Sequence, residues 1–200
     1  MNLTVLAASG RTGLALTREA LRRGHTVTAI ARDPGRIDVP ASARLHKVAG
    51  DVEDPASIAG AAGTIVLSGL GTDRAGVLLA GAKAVVAAAP RRIVWLGAYG
   101  TGKSAEVAGE AAGALTNLLG DRLGDKVEAD GLILAAGGTV FHAGLLTDGP
   151  ESPGRRTVGL AAGPPLDFKA VITRATVAGA MLDEAETPRF EGTIALPLPD

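Results

Sequence analysis

Five consecutive residues near the start of the chain, Ser9-Gly10-Arg11-Thr12-Gly13, are the first whose types and spacing could do chemistry. They follow an apolar run, Leu3-Thr4-Val5-Leu6-Ala7-Ala8, and precede a stretch of helical periodicity. A glycine-rich turn between a strand and a helix presents backbone N–H groups and the positive helix pole to a phosphate. Gly10 would let the backbone approach a pyrophosphate, and Gly13 would let the helix pack closely on the strand. The amides of Arg11, Thr12 and Gly13 would then meet the anion. In this context the turn is expected to bind a dinucleotide, although a tight turn that binds nothing can share its pattern. Some 20 residues on comes Ala31-Arg32-Asp33-Pro34. An acidic residue there would hold the ribose 2′-hydroxyl of NAD, whereas an arginine suits the 2′-phosphate of NADP. Asp before Pro is also how a helical turn starts, so Asp33 has a structural job available and Arg32 is the freer ligand. NADP(H) is therefore expected, with NAD(H) the alternative. Arg11 and Arg74 are further phosphate candidates, each with an ordinary surface reading.

A second group could move protons. Tyr99 is the one tyrosine of the chain and follows a strand expected near the sheet centre. His142 ends another strand and titrates near neutral pH. Both are candidate proton donors, against the plainer reading of a pocket-covering aromatic and a strand-ending histidine. Tyr99-Gly100-Thr101-Gly102-Lys103 has a phenol and an ammonium four residues apart. On a helix that spacing would lower the phenol pKa, but two glycines disfavour the helix it needs. His25 and His46 are assigned no role.

The elements that must position these groups alternate regularly. Strands are expected at 3–8, 25–31, 44–49, 64–68, 92–96, 139–143 and 193–196. They are continuous apolar runs, which implies that both faces of the sheet are covered. Helices are expected at 12–23, 55–62, 74–89, 105–119, 125–136 and 174–186. On the first, Leu14, Thr17, Ala20 and Leu21 face inward and Arg18, Glu19, Arg22 and Arg23 outward, with Gly24 as its stop. Residues 145–168 are rich in Gly and Pro, carry one weak strand at 157–160, and should border a substrate pocket. This is an α/β pattern with a doubly wound parallel sheet.

Composition narrows the function classes. Twenty Lys and Arg oppose 21 Asp and Glu, which argues against a nucleic-acid or anionic-membrane binder. With no cysteine, disulfide scaffolds, zinc-thiolate sites, iron–sulfur clusters and cysteine nucleophiles are excluded. The longest apolar run, 77–89, falls short of the roughly 18 residues that span a bilayer and is broken by Gly81 and Lys83. The N-terminus lacks the basic segment of a signal peptide. The chain is expected to be soluble and cytoplasmic, without membrane or nucleic-acid partners, as a monomer or homodimer.

The motifs, in order, resemble those of the atypical short-chain dehydrogenase/reductases. The likeness is greatest to the NAD(P)H-binding group that includes biliverdin reductase B-like flavin reductases and NmrA-like redox sensors. It begins with Ser9–Gly13, Arg22-Arg23-Gly24-His25-Thr26-Val27 and Ala31–Pro34. It continues through Gly50-Asp51-Val52, Ser68-Gly69-Leu70-Gly71 and the Lys126 helix to Leu146–Pro150 and Ile172–Ala178. The resemblance implies one NAD(P)-binding Rossmann-type domain over 1–200, with a small C-terminal substrate-side extension. It implies that Asp51 and Val52 hold the adenine, that Ser68 and Gly69 lie along the cofactor, and that Lys126 meets a ribose. Four positions depart from the family pattern: Ala7 for its first glycine, Gly97 for a Ser or Thr, His142-Ala143-Gly144 for Arg-Pro-Gly, and Thr176 for a late Asp. The turn is expected to hold Ala7 at negative φ. The expected function is an NADP(H)-dependent oxidoreductase reducing a small acceptor such as a flavin or quinone. A non-catalytic NAD(P)H-binding redox sensor is the alternative, and an epimerase or dehydratase relative is third.

Overall fold

A computed structural model of the protein describes residues 1–199. The chain begins with β1 (Asn2–Leu6), α1 (Arg11–Arg22), β2 (Thr26–Ala31), β3 (Leu45–Ala49), β4 (Ile65–Ser68), α2 (Val77–Ala87) and β5 (Arg92–Ala98). Then come α3 (Ala105–Ala108), α4 (Ala111–Leu119), α5 (Arg122–Ala135), β6 (Thr139–Ala143) and β7 (Leu145–Thr147). It closes with β8 (Arg155–Gly159), β9 (Val171–Thr173), α6 (Arg174–Glu186) and β10 (Ile194–Pro199).

Eight strands form one sheet in the order β3-β2-β1-β4-β5-β6-β10-β8. All neighbours are parallel except β8, which runs antiparallel to β10. The order reverses between β1 and β4, and it is outside the carboxyl ends of strands at such a point that ligands bind in open α/β sheets. Alternate residues of β1 serve opposite faces: Leu3 and Val5 pack with Leu16 and Met181 of α1 and α6, while Leu6 joins Val66, Trp95 and Ile133 beneath α2 and α5. Both layers are built almost wholly from aliphatic side chains.

Several boundaries differ from expectation. The stretch 105–119 is two helices, because Gly109 turns to φ +71° between them. The helix expected from 74 begins at Val77, after Gly76 at φ +86°. Residues Pro55–Ala61 form a 3-10 turn capped by Asp54 rather than an α-helix. The outermost strand, β3, is largely exposed, so the expectation of two covered faces fails at that edge. The short parallel pair β7–β9 was not expected at all. Arg23 does not point outward; its side chain is mostly buried against Glu19 and the α6 carboxylates Asp183 and Glu186.

Candidate functional site

The site starts where β1 gives way to α1. The chain leaves β1 through Ala7 at φ +53°, which corrects the expectation of a negative φ. A left-handed alanine costs about 1–2 kcal/mol, so the surrounding turn must impose it. The imposing contacts are visible: Gly10 N–H donates to the Ala7 carbonyl at 2.9 Å, and Gly13 sits directly against the same carbonyl. A Cβ at Gly13 would lie 2.1 Å from the Ala7 oxygen, and one at Gly69 would lie 2.9 Å from the Gly13 nitrogen. These glycines let β1, α1 and the end of β4 meet backbone to backbone. Helix α1 opens at Gly10 with no side-chain cap and no acidic residue in its first turn. Its first N–H groups thus have no capping side chain, the arrangement in which a helix start can receive an anion.

A cleft with two lobes runs over this turn, and Gly10, Leu70 and Gly71 line both lobes. The first lobe, of about 270 Å³, lies on the β2 side and is lined by Ser9, Gly10, Arg32, Asp51 and Val52. The second, of about 340 Å³, lies toward β5 and β6 and is lined by Arg11, Thr12, Gly69, Gly97 and Lys126. Of the remaining expected cofactor residues, Gly13 packs beneath the turn, while Ser68 is fully buried and accepts from Leu70 N–H at 3.3 Å. Burial holds the Lys126 amine below the usual lysine range, against the opposing pull of Asp130 and Asp125.

The cations around the cleft are not equivalent. Arg74 is paired with both carboxylate oxygens of Glu53 at 3.0 Å, and Arg11 and Arg174 share Asp148 at 3.5 and 2.8 Å. Asp33 Oδ1 accepts from Gly35 N–H at 2.9 Å and caps the 3-10 turn Pro34–Arg36. Among the described residues, Arg32 and Arg36 have no ion-pair or side-chain hydrogen-bond partner, and both line the first lobe. Sequence reasoning missed Arg36, although its place one turn after Arg32 in a Pro-initiated segment was a usable signal. It also missed Arg174. The carboxylate of Asp125 accepts from the Leu78 and Leu79 amides at 3.2 and 2.9 Å, so the first turn of α2 is closed by the chain itself.

Beyond the second lobe the polar groups are paired internally. Tyr99 is buried, which raises its pKa, and its hydroxyl donates to the Pro164 carbonyl. His142 is 2% exposed, with Nε2 3.1 Å from Asp130 Oδ2 and Nδ1 2.6 Å from Ser104 Oγ. Asp130 Oδ1 is buried with no hydrogen-bond partner among the described residues. Gly97 is what makes room for this pair: a Cβ there would lie 2.7 Å from His142 Cδ2 and 2.9 Å from Asp130 Oδ2. The residue that replaces the family's hydroxyl is thus compelled by the buried histidine below it. The Tyr99 and Lys103 pair does not form: Gly100 and Gly102 adopt φ +94° and +50°, and Lys103 is exposed.

A two-lobed cleft at the switch point of a doubly wound sheet, over an uncapped helix, defines a Rossmann-fold dinucleotide-binding protein. The chain belongs to the NAD(P)H-binding family, whose model matches residues 7–188. Three solved structures show the same fold. The oxidoreductase YlbE from Lactococcus lactis is 20% identical, with a TM-score of 0.81 over 100% of this chain and 91% of that one. The anaerobillin reductase ChuY from Escherichia coli O157:H7 is 17% identical, with a TM-score of 0.76 over 99% and 97%. A short-chain dehydrogenase/reductase from Veillonella parvula, in complex with NADP, is 21% identical, with a TM-score of 0.75 over 98% and 93%. Among the described residues no helix is long and apolar enough to cross a membrane, and no group of three or more His, Cys, Asp or Glu side chains is placed to hold a metal ion.

Proposed function

We propose that the protein is an NADP(H)-dependent reductase of a small acceptor. The observation that carries the cofactor choice is the pair of unpartnered guanidinium groups, Arg32 and Arg36, on the β2-side lobe. Asp33, the residue that would select NAD, is committed to Gly35. Two open arginines favour a 2′-phosphate, which can accept charge-assisted hydrogen bonds from both. The α1 amides and Gly10 would hold the pyrophosphate, Asp51 and Val52 would border the adenine, and Lys126 would meet the ribose of the nicotinamide half. When bound, the cofactor supplies the hydride. Tyr99 and His142, the candidate donors, lie at the acceptor side, but their polar atoms face Pro164, Asp130 and Ser104. The acceptor's proton then comes from water, and the two side chains shape the pocket.

The same engagement of both donors is the observation that favours the rival, a non-catalytic NAD(P)H-binding sensor. Cofactor titrations followed by an acceptor screen separate the two. Arg32→Ala should weaken NADPH binding about 10- to 100-fold and leave NADH binding nearly unchanged. Arg36→Ala should act in the same direction with a smaller effect. Equal losses for both cofactors would overturn the assignment to NADP. Tight NADPH binding with no oxidation by any acceptor would favour the sensor. If reduction proceeds, Tyr99→Phe should cost less than about tenfold in turnover, whereas a general acid would cost about 10²- to 10⁴-fold.

A further inference from the structure

A third cavity, of about 220 Å³, opens where Tyr99 and His142 meet the 164–172 loop and β10. It adjoins the second lobe of the cofactor cleft through Gly144, which lines both, and through the β7–β9 pair, where Leu146 of the cleft stands beside Ile172 of the cavity. Its walls are Pro164, Leu166, Ile172, Leu196 and Pro197. The polar groups it contains turn inward: the Tyr99 hydroxyl is taken by Pro164, and the His142 nitrogens by Asp130 and Ser104. Among the described lining residues the single charged side chain is Asp167, and none is cationic.

We infer that this cavity takes a small, electrically neutral ring acceptor of the quinone class and excludes phosphorylated flavins. The inference rests on the reductase reading above and narrows it. Size is the first reason: at about 220 Å³ the cavity is smaller than either lobe of the cofactor cleft, at about 270 and 340 Å³. Charge is the second. A phosphate brings a charge of about −1.5 to −2 at pH 7, and here it would find a carboxylate and no cation. The cofactor lobes next door are lined by arginines, so charge also tells the two ligands apart. A quinone seated here accepts the hydride from NADPH and one proton from water, and leaves as the hydroquinone, with NADP⁺ as the oxidised product.

The test measures binding without cofactor and turnover with it. The probes are 2-methyl-1,4-naphthoquinone, its anionic relative 1,4-naphthoquinone-2-sulfonate, and FMN. The chain has no cysteine, so no thiol can add to the quinones. Ligand-observed NMR should show the neutral quinone bound about tenfold or more tightly than either anion. Asp167→Asn should narrow the gap to the sulfonate severalfold without changing the neutral probe. Leu166→Trp should abolish quinone binding while the thermal shift with NADPH stays intact, which also shows that the variant is folded. Equal binding of FMN and quinone, or a gap that Asp167→Asn leaves untouched, overturns the inference and leaves the reductase reading standing. A wild-type protein that no dinucleotide stabilises overturns the reading itself.

Discussion

At its N-terminus α1 has no capping side chain and no acid in its first turn, whereas beyond its C-terminus Arg23 is bound on every side. The Arg23 guanidinium donates to Glu19 at 2.7 Å, to Asp183 and Glu186 at 2.9 Å each, and to the Gly179 carbonyl at 3.2 Å. One helix thus has an end the chain leaves incomplete and an end it completes by itself. The incomplete end faces the cleft, and the completed end ties α1 to α6, its neighbour on the same face of the sheet. On the proposed reading cofactor binding and stability fall to opposite ends of one element, and the two should be separable by mutation.

The largest effect is expected at the open end. A Cβ at Gly10 would already lie 3.2 Å from the Ala7 carbonyl, and a valine there would stand in the path of the pyrophosphate. Wild-type protein with NADPH at 100 times its dissociation constant should gain about 2.7 kcal/mol of stability. In Gly10→Val that gain should vanish in a thermal-shift assay, with the ligand-free melting temperature moved by only a few degrees. A variant that still binds NADPH would break the comparison.

At the closed end the opposite pattern is expected. Arg23→Ala removes several charge-assisted hydrogen bonds and should cost about 2–3 kcal/mol in urea unfolding, with NADPH affinity unchanged. Acid should reveal the same contact. Although burial pulls the Glu19 carboxyl upward, the hydrogen bonds from Arg22 and Arg23 hold it below its ordinary value of 4.5. A depressed carboxylate contributes stability that is present above its unfolded pKa and is lost as pH falls through the folded one. Wild-type stability should therefore drop more steeply than that of Arg23→Ala between about pH 5 and pH 3.

The smallest effect is expected at Ala7, where relief of a left-handed alanine works against the extra freedom glycine gives the unfolded chain. Relief is worth about 1–2 kcal/mol and the added entropy costs about 0.4–1, so Ala7→Gly should stabilise by about 0.5–1 kcal/mol. NADPH affinity should not change. A destabilised variant would mean that the alanine methyl does packing work the strain argument omits.

How far the sequence reveals this depends on the reach of each signal. The β1–turn–α1 unit and the Asp33 cap were legible because glycine spacing and an Asp-Pro pair act within a few residues. The role of Arg23 was not, because helical periodicity knows only its own helix, whereas Asp183 and Glu186 arrive from some 160 residues away. The β7 and β9 strands are three residues each and exist only through their mutual pairing, so no local pattern announces them. Tyr99 and His142 could be placed at strand ends from sequence, but that their polar atoms turn inward depends on Pro164, Asp130 and Ser104. Gly97 read as a missing hydroxyl; only the packing of His142 against it shows that a side chain has no room there.

The Asp125 carboxylate on the first amides of α2 bears on how a cofactor can lie in the cleft. Val77, the first residue of α2, lines the same β2-side lobe as Gly10, so two helix beginnings border the cleft. Both would attract an anion if left alone. Asp125 supplies that anion from within for α2, whereas α1 has no capping side chain. A pyrophosphate displaced toward α2 would meet a negative charge instead of open N–H groups, and that gives the cleft a direction. On the proposed reading a dinucleotide would have one register along it, with the adenosine half toward Arg32 and the nicotinamide half toward Lys126.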